Sequence, residues 1–244
     1  MPSYYPVFLN LTGKRCVIFG GGSIAEGKIS KLKETGAQVT IISPEATPAI
    51  QKLAQTGVVE WNVREYRPGD LEGAFLGIAA TDKRQVNQQI FNEAEQLGVV
   101  LNVVDDPALC AFIAPSIVER GPVTVAISTG GTSPALARKL RETLADDDAL
   151  EWADLAHVLS KARNNIKKQG VSVDPQRWQC CLTPELLNLA QSGQEEEALE
   201  HLMSSLLDKN KASLCADVGK CRSEGCSTLK LVRPNAQIQT PITT

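Results

Sequence analysis

Three consecutive glycines constrain this chain more than any other feature. They close Lys14–Gly20 (KRCVIFG), a short apolar run of the kind that forms a strand buried on both faces of a parallel sheet. Gly20-Gly21-Gly22-Ser23-Ile24-Ala25 then matches G-x-G-x-x-A, and helical spacing follows through Ile24, Ala25, Lys28, Ile29 and Leu32 to a stop at Gly36. In such a pattern the first glycine permits a tight turn and the second lets backbone approach a pyrophosphate. The small residue at the end allows close helix–strand packing. The helix N-terminus at Ser23 and Ile24 offers N–H groups and positive potential to phosphate oxygens. A plain glycine-rich turn has the same letters; the strand before and the helix after favour dinucleotide binding.

The same alternation continues. Val39–Ile42 reads as a second strand, Ala49–Gln55 as a short helix, Val58–Tyr66 as a third strand and Phe75–Thr81 as a fourth. A helix over Arg84–Leu97 and a fifth strand at Val99–Val104 follow. Alternation this dense predicts an α/β fold, a Rossmann-type doubly wound parallel sheet. From Phe112 the pattern changes. Phe112–Arg120 and Val123–Ser128 are β-like and joined at Gly121-Pro122, and a helix opens at Pro134 behind Ser133 as N-cap. The expected division is a Rossmann domain over 1–111, a hairpin-and-helix segment over 112–148, a small helical domain over 149–208 and a polar, Cys-containing tail over 209–244. The alternating strand Val123, Val125, Ile127 has no obvious partner inside the chain, which predicts a homodimer through that segment.

At 244 residues and 43% hydrophobic content the chain can build one large or two modest cores. A net charge of -3 gives no electrostatic argument for nucleic acid or a membrane surface. No basic stretch precedes a long apolar one at the N-terminus, and no run approaches membrane-spanning length. Seven cysteines at irregular spacing do not read as a disulfide framework, so a cytoplasmic chain is expected.

After the second strand an acid is expected to hold the adenosine ribose. Ser43-Pro44-Glu45 stands there with no Arg or Lys beside it, which favours NAD over NADP. Glu45 lies slightly past the usual position, so Ser43 or the backbone at Pro44 is an alternative, and Glu45 equally fits an ordinary solvated acid. No metal site is expected. His157 and His201 lie in helical surroundings, and Cys180-Cys181 points its thiols apart. Cys215, Cys221 and Cys226 lack a standard ligand spacing, with a soft metal or a cluster on the three thiols as the alternative.

Pro6-Val7-Phe8-Leu9, Gly20-Gly21-Gly22, Ala79-Ala80-Thr81-Asp82 with Val86-Asn87, Asn102-Val103-Val104-Asp105, Phe112-Ile113-Ala114-Pro115-Ser116 and Ser128–Arg138 (STGGTSPALAR) together resemble one family. It is the dehydrogenase/ferrochelatase module of sirohaem synthase and its stand-alone relatives. The resemblance is strong over about residues 5–145 and fades towards 208. It implies NAD-dependent oxidation of precorrin-2 to sirohydrochlorin, in some members followed by insertion of ferrous iron, and a homodimer. It places the family's key aspartate on Asp105 and a serine phosphorylated in some members on Ser128, and it adds Thr81 to the cofactor contacts.

Oxidising the macrocycle needs a hydride acceptor and a place for a proton. Asp105, read as ending the fifth strand at the carboxyl edge of the sheet, suits a general base or a partner for a pyrrole N–H. Asp106, before Pro107, reads as a turn residue. The substrate's acetate and propionate groups call for donors: Arg120, Arg138 and the Ser128–Ser133 loop, with Lys139 and Arg141 also fitting a solvated helix face. Two other readings stay open. One is an enzyme that also inserts iron or cobalt; the other is a non-catalytic NAD-binding redox regulator using the tail thiols.

Overall fold

The computed structural model describes residues 4–208, so the expected cysteine tail, and the regulator reading that rested on it, lie outside the described residues. Contacts group the chain into two compact units. The first runs to Ser116 and takes up Ser128–Arg138; the second holds Ile117–Ile127 and the chain from Lys139. The segment expected over 112–148 is thus shared between the units.

Five parallel strands form the first unit's sheet: β1 (Arg15–Phe19), β2 (Gln38–Ile42), β3 (Glu60–Asn62), β4 (Leu76–Ala79) and β5 (Val100–Val103), in the order β3-β2-β1-β4-β5. Side chains of β1 alternate between two cores, which is why the strand reads as an unbroken apolar run. Cys16 and Ile18 pack with Ala25 and Ile29 of α1 (Ser23–Glu34) and Ile50 of α2 (Pro48–Gln55). Val17 and Phe19 pack on the other face with Ile90 and Ala94 of α3 (Arg84–Leu97). Thr47 caps α2 through the Ile50 N–H, with Pro48 in the first turn, and Gly98 in the left-handed region ends α3. The chain turns outward in opposite directions from β1 and β4, so a crevice opens at their carboxyl ends, where ligands of such sheets bind.

Several strands are shorter than the sequence predicts: β4 keeps Leu76–Ala79 of Phe75–Thr81, the strand expected over Phe112–Arg120 keeps Ser116–Arg120, and the physical reasons are clearest at β3 and β5. β3 stops at Asn62, whose carbonyl accepts from Arg64 N–H at 2.9 Å. The loop beyond folds on itself: Arg64 grips Asp70 with both Nη atoms (2.8 and 2.6 Å), and Arg67 N–H bonds Asp70 Oδ2 at 2.8 Å. Arg15 of β1 clasps the carbonyls of Asp70 and Glu72. Burial pushes the Asp70 carboxyl up, but the Arg64 and Arg67 hydrogen bonds, with the charges of Arg64 and Arg15, hold it below its ordinary value. β5 ends at Val103 because the chain turns there and runs back along the open edge of the strand. Ala111 N–H meets Leu101 C=O at 2.8 Å, and the Cys110 thiol takes the place of a strand partner for Val103.

In the second unit β6 (Ser116–Arg120) and β7 (Val123–Ile127) form a two-stranded hairpin turned at Gly121-Pro122. Along β7, Val123, Val125 and Ile127 are half-buried while Thr124 and Ala126 are exposed. A fourth helix, α4 (Pro134–Ala145), starts in the first unit with the Ser133 hydroxyl accepting from Leu136 N–H, and continues in the second. A 3-10 segment at Asp148–Leu155 leads into α5 (Ala156–Lys168), α6 (Pro175–Cys180), α7 (Pro184–Gln191) and α8 (Glu195–Leu207). Leu155, Val158, Ala162, Leu186, Ala198 and Leu202 form their common core. No helix among the described residues is long and apolar enough to cross a membrane.

Candidate functional site

A cleft of about 500 Å³ opens at the carboxyl ends of β1, β2 and β4. Each glycine of the triple has its own reason to be there. Gly20 has φ +108, and a Cβ on it would stand 2.3 Å from Ala80 O. Gly21, which the motif leaves as a variable position, would put a Cβ 2.1 Å from Glu45 O. These two let the loops after β4 and β2 close against the turn. A Cβ on Gly22 meets nothing within 4 Å, so this glycine keeps the mouth of the cleft open.

The helix behind the turn suits an anion. α1 starts without a side-chain cap, and its first backbone bond runs from Glu26 N–H to Gly22 C=O at 3.0 Å. The N–H groups of the first turn are left for a ligand, at the positive end of a 12-residue helix. Ala25 is fully buried against the sheet, as its place in the motif requires. Ser23 and Ile24 stand exposed in that first turn, outside the cleft wall. The wall and the free helix end fit a pyrophosphate.

At the end of β2, Ser43 is buried and its hydroxyl donates to Glu45 O at 2.5 Å. That hydroxyl is committed to its own turn; Ser43 still lines the cleft there, together with the exposed Pro44 and Glu45. Thr81 lines the opposite side. Its hydroxyl donates to Asn87 Oδ1 at 2.6 Å, and Asn87 Nδ2 returns a bond to Thr81 O at 3.0 Å.

The lining also takes in residues not expected as cofactor contacts, among them Glu65 and Tyr66 after β3 and Asp82 and Lys83 after β4. Lys83 Nζ lies 2.6 Å from Glu65 Oε1, and that hydrogen bond raises the Lys83 ammonium and lowers the Glu65 carboxyl from their ordinary values. The expectation of no nearby cation holds along β2 but not for the cleft, because Lys83 arrives on a different loop. The Tyr66 ring stands edge-on to Phe19, 5.5 Å between centroids, and its hydroxyl donates to Glu93 Oε2 at 2.5 Å. Burial, then the bond to Glu93 and the charges of Glu93 and Asp70, push this phenol well above its usual value.

Asp105 does not end a strand. It sits two residues past β5 in the left-handed region, φ 61, the one non-glycine residue of the described chain with positive φ. Its exposed carboxylate meets no partner among the described residues, and it stands beside the cleft rather than in its wall. The Cys110 thiol holds the turn beneath it. Sγ accepts from Val103 N–H (3.2 Å) and faces the carbonyls of Val103 (3.1 Å) and Asp106 (3.3 Å). Asn102 Nδ2 braces the same turn through Phe112 O at 2.9 Å. Asp106 opens the 3-10 turn Pro107–Leu109, as the turn reading expects.

Among the residues expected to bind carboxylates, Arg120 has an internal partner. Its Nε and Nη2 pair with both oxygens of Asp154 (3.0 and 2.7 Å) inside the second unit, so one edge of the guanidinium is engaged there. Ser128 and Arg138 belong to the first unit and are exposed. Ser128 Oγ accepts from Gly130 N–H at 3.0 Å, and Gly130 and Gly131 carry the left-handed backbone that shapes the loop. His157 and His201 are exposed. Among the described residues no group of three or more His, Cys, Asp or Glu comes together for a metal.

Residues 7–116 match the NAD(P)-binding family model, and residues 120–146 match the model of the sirohaem biosynthesis protein central domain. The first unit is therefore an NAD(P)-binding domain of Rossmann type. The chain thus carries an NAD(P)-binding region followed by a sirohaem biosynthesis central region, in that order. The siroheme synthase of Photorhabdus laumondii is 36% identical over 230 residues, covering 93% of this chain and 49% of the relative. That of Methylobacillus flagellatus is 40% identical over 205 residues, covering 83% and 44%. The chain thus spans about half the length of the curated relatives it matches. Among solved structures, SirC, precorrin-2 dehydrogenase, superposes with a TM-score of 0.66 at 24% identity, covering 82% of this chain and 98% of that one, and so has the same fold.

Proposed function

We propose that this chain oxidises precorrin-2 to sirohydrochlorin with NAD, in sirohaem biosynthesis. The observation that carries the reading is an unpartnered carboxylate, Asp105, in the turn two residues past β5, with a glycine-lined cleft and a free helix N-terminus at the same sheet edge. NAD held there supplies the hydride acceptor. The first turn of α1 binds its pyrophosphate, Gly22 leaves room for it, and Pro44 and Glu45 face its adenosine ribose. Asp105 takes the proton that leaves the macrocycle with the hydride, or orients a pyrrole N–H. The Ser128–Ser133 loop and Arg138 bind the substrate's carboxylates. Two copies pair through the 112–148 segment, where β6 and β7 have no further strand partner among the described residues. A cytoplasmic setting suits cysteines kept as thiols, and no disulfide joins Cys16, Cys110, Cys180 or Cys181 among the described residues.

A second activity rests on the same carboxylate. Asp105 has no cation partner among the described residues, so it can also receive one of the two protons released when ferrous iron enters sirohydrochlorin, the other passing to solvent.

The test is NADH formation from precorrin-2 by the purified chain and its variants. Asn is among the few residues that tolerate left-handed backbone, so Asp105→Asn should fold and bind NAD normally. Its turnover should fall by about two to four orders of magnitude. Asp106→Asn should stay near normal. Unimpaired turnover in Asp105→Asn would refute the assignment, and a monomeric mass by light scattering would refute the dimer. Adding ferrous iron after the oxidation reads out the second activity.

A further inference from the structure

We propose that Glu65 sets the cofactor preference of the cleft by occupying Lys83, the cation that would otherwise meet the 2′-phosphate of NADP. This rests on the reading of the cleft as a dinucleotide site. Rossmann domains that take NADP place a cation near the adenosine ribose. Among the described residues the β2 end of this cleft has none; the one ammonium in the lining, Lys83, arrives on the loop after β4, in a lining that also holds the carboxylates of Glu45, Glu65 and Asp82. A phosphate monoester carries nearly two negative charges at neutral pH. It would enter a cleft with three carboxylates and one ammonium, and that ammonium is 2.6 Å from Glu65 Oε1. The 2′-hydroxyl of NAD meets no such opposition.

Both ends of the pair are anchored by their backbones. Lys83 N–H bonds Thr81 Oγ1 at 3.3 Å, and Thr81 is itself tied to Asn87. Glu65 lies between Arg64, locked to Asp70, and Tyr66, locked to Glu93. The two side chains are well exposed, 60% and 68%, so neither is needed for the fold and the pair is open to replacement by a ligand. Removing the Glu65 charge acts twice. It deletes one repulsion, and it frees Lys83 for the phosphate.

The experiment is calorimetric titration of NAD+ and NADP+, at low ionic strength, into the wild type, Glu65→Gln, Lys83→Met and the double variant, with melting temperatures alongside. The wild type should prefer NAD+. Glu65→Gln should shift the affinity ratio about ten-fold towards NADP+, the order expected for gaining one solvent-exposed charge contact and losing one repulsion. The shift should shrink at high salt. The double variant should lose it, because the gain needs Lys83. A wild type that binds NAD+ while Glu65→Gln leaves the ratio unchanged overturns the proposal, as does a shift that survives in the double variant. A wild type that binds neither nucleotide overturns the reading of the cleft itself.

Discussion

Tyr66 and Glu93, 27 residues apart, meet through a 2.5 Å hydrogen bond from the phenol to Oε2, and Glu93 Oε1 also accepts the N–H groups of Gly69 and Leu71. One carboxylate on α3 therefore fastens the β3–β4 loop at three points and fixes the ring that walls the cleft. Replacing Glu93 by Ala removes all three bonds and should destabilise the fold by about 1–3 kcal/mol. Nucleotide affinity should fall with it, read by urea unfolding and titration. Tyr66→Phe keeps the ring on Phe19 and should cost about 1 kcal/mol.

The same phenol predicts an alkaline effect. Its folded pKa is raised above the ordinary value of 10.0, so ionisation is harder in the folded chain. The stability it contributes is complete below about pH 10 and is lost as the pH rises further. Urea midpoints followed from about pH 9 to 11 should fall more steeply for the wild type than for Tyr66→Phe.

Asp70 predicts the opposite limb. Its folded pKa lies below the ordinary 3.8, so its contribution is present above that value and disappears as the pH falls through the folded one. Asp70→Asn should cost about 1–3 kcal/mol at neutral pH, because it breaks the grip of Arg64 at a buried site. The difference from wild type should narrow below about pH 4, measured as the unfolding midpoint across the acid range.

Gly21 and Gly22 should separate folding from binding. Gly21→Ala drives a Cβ into the backbone of Glu45 and Ala46, so it should lose about 1–3 kcal/mol of stability along with nucleotide affinity. Gly22→Ala meets only open space and has an ordinary φ of -80. It should melt like the wild type and still bind NAD more weakly. Equal melting losses in the two would contradict the division.

Cys110 should matter through the turn it holds. Burial, and next to it the charge of Asp106, keep the thiol protonated in spite of the Val103 N–H, so it can donate while it accepts. Cys110→Ser keeps both functions. Cys110→Ala leaves the Val103 groups unmet and should cost about 1–2 kcal/mol. If the thiol positions Asp105, turnover should fall in the Ala variant at temperatures where it is fully folded, and recover in the Ser variant.

The βα order was legible because parallel strands buried on both faces leave apolar runs such as Cys16–Phe19, which no solvent-facing strand would tolerate. The phosphate turn was legible because its constraints are local: one positive φ and two backbone approaches within three residues. What was not legible depends on loops meeting across the sheet edge. Val58–Tyr66 alternates like a strand, yet Arg64 finds Asp70 and folds the chain away. Lys83 and Glu65 are 18 residues apart on different loops, and no period in the sequence records their meeting. Arg120 sits in a stretch shared with the family, but Asp154, 34 residues on, claims its guanidinium. Asp105 was found through its resemblance; its left-handed backbone was not, since an aspartate there looks like any strand end.

The first unit reclaims Ser128–Arg138 after the chain has left it to build the hairpin. A nascent chain therefore cannot finish this domain when its fifth strand emerges from the ribosome. The last piece arrives only after another thirty-odd residues have been made, and until then the half-built domain must wait with that position empty. Cutting the gene after residue 111 would make that wait permanent, so a fragment ending there should be a poorer folder than its complete five-stranded sheet suggests.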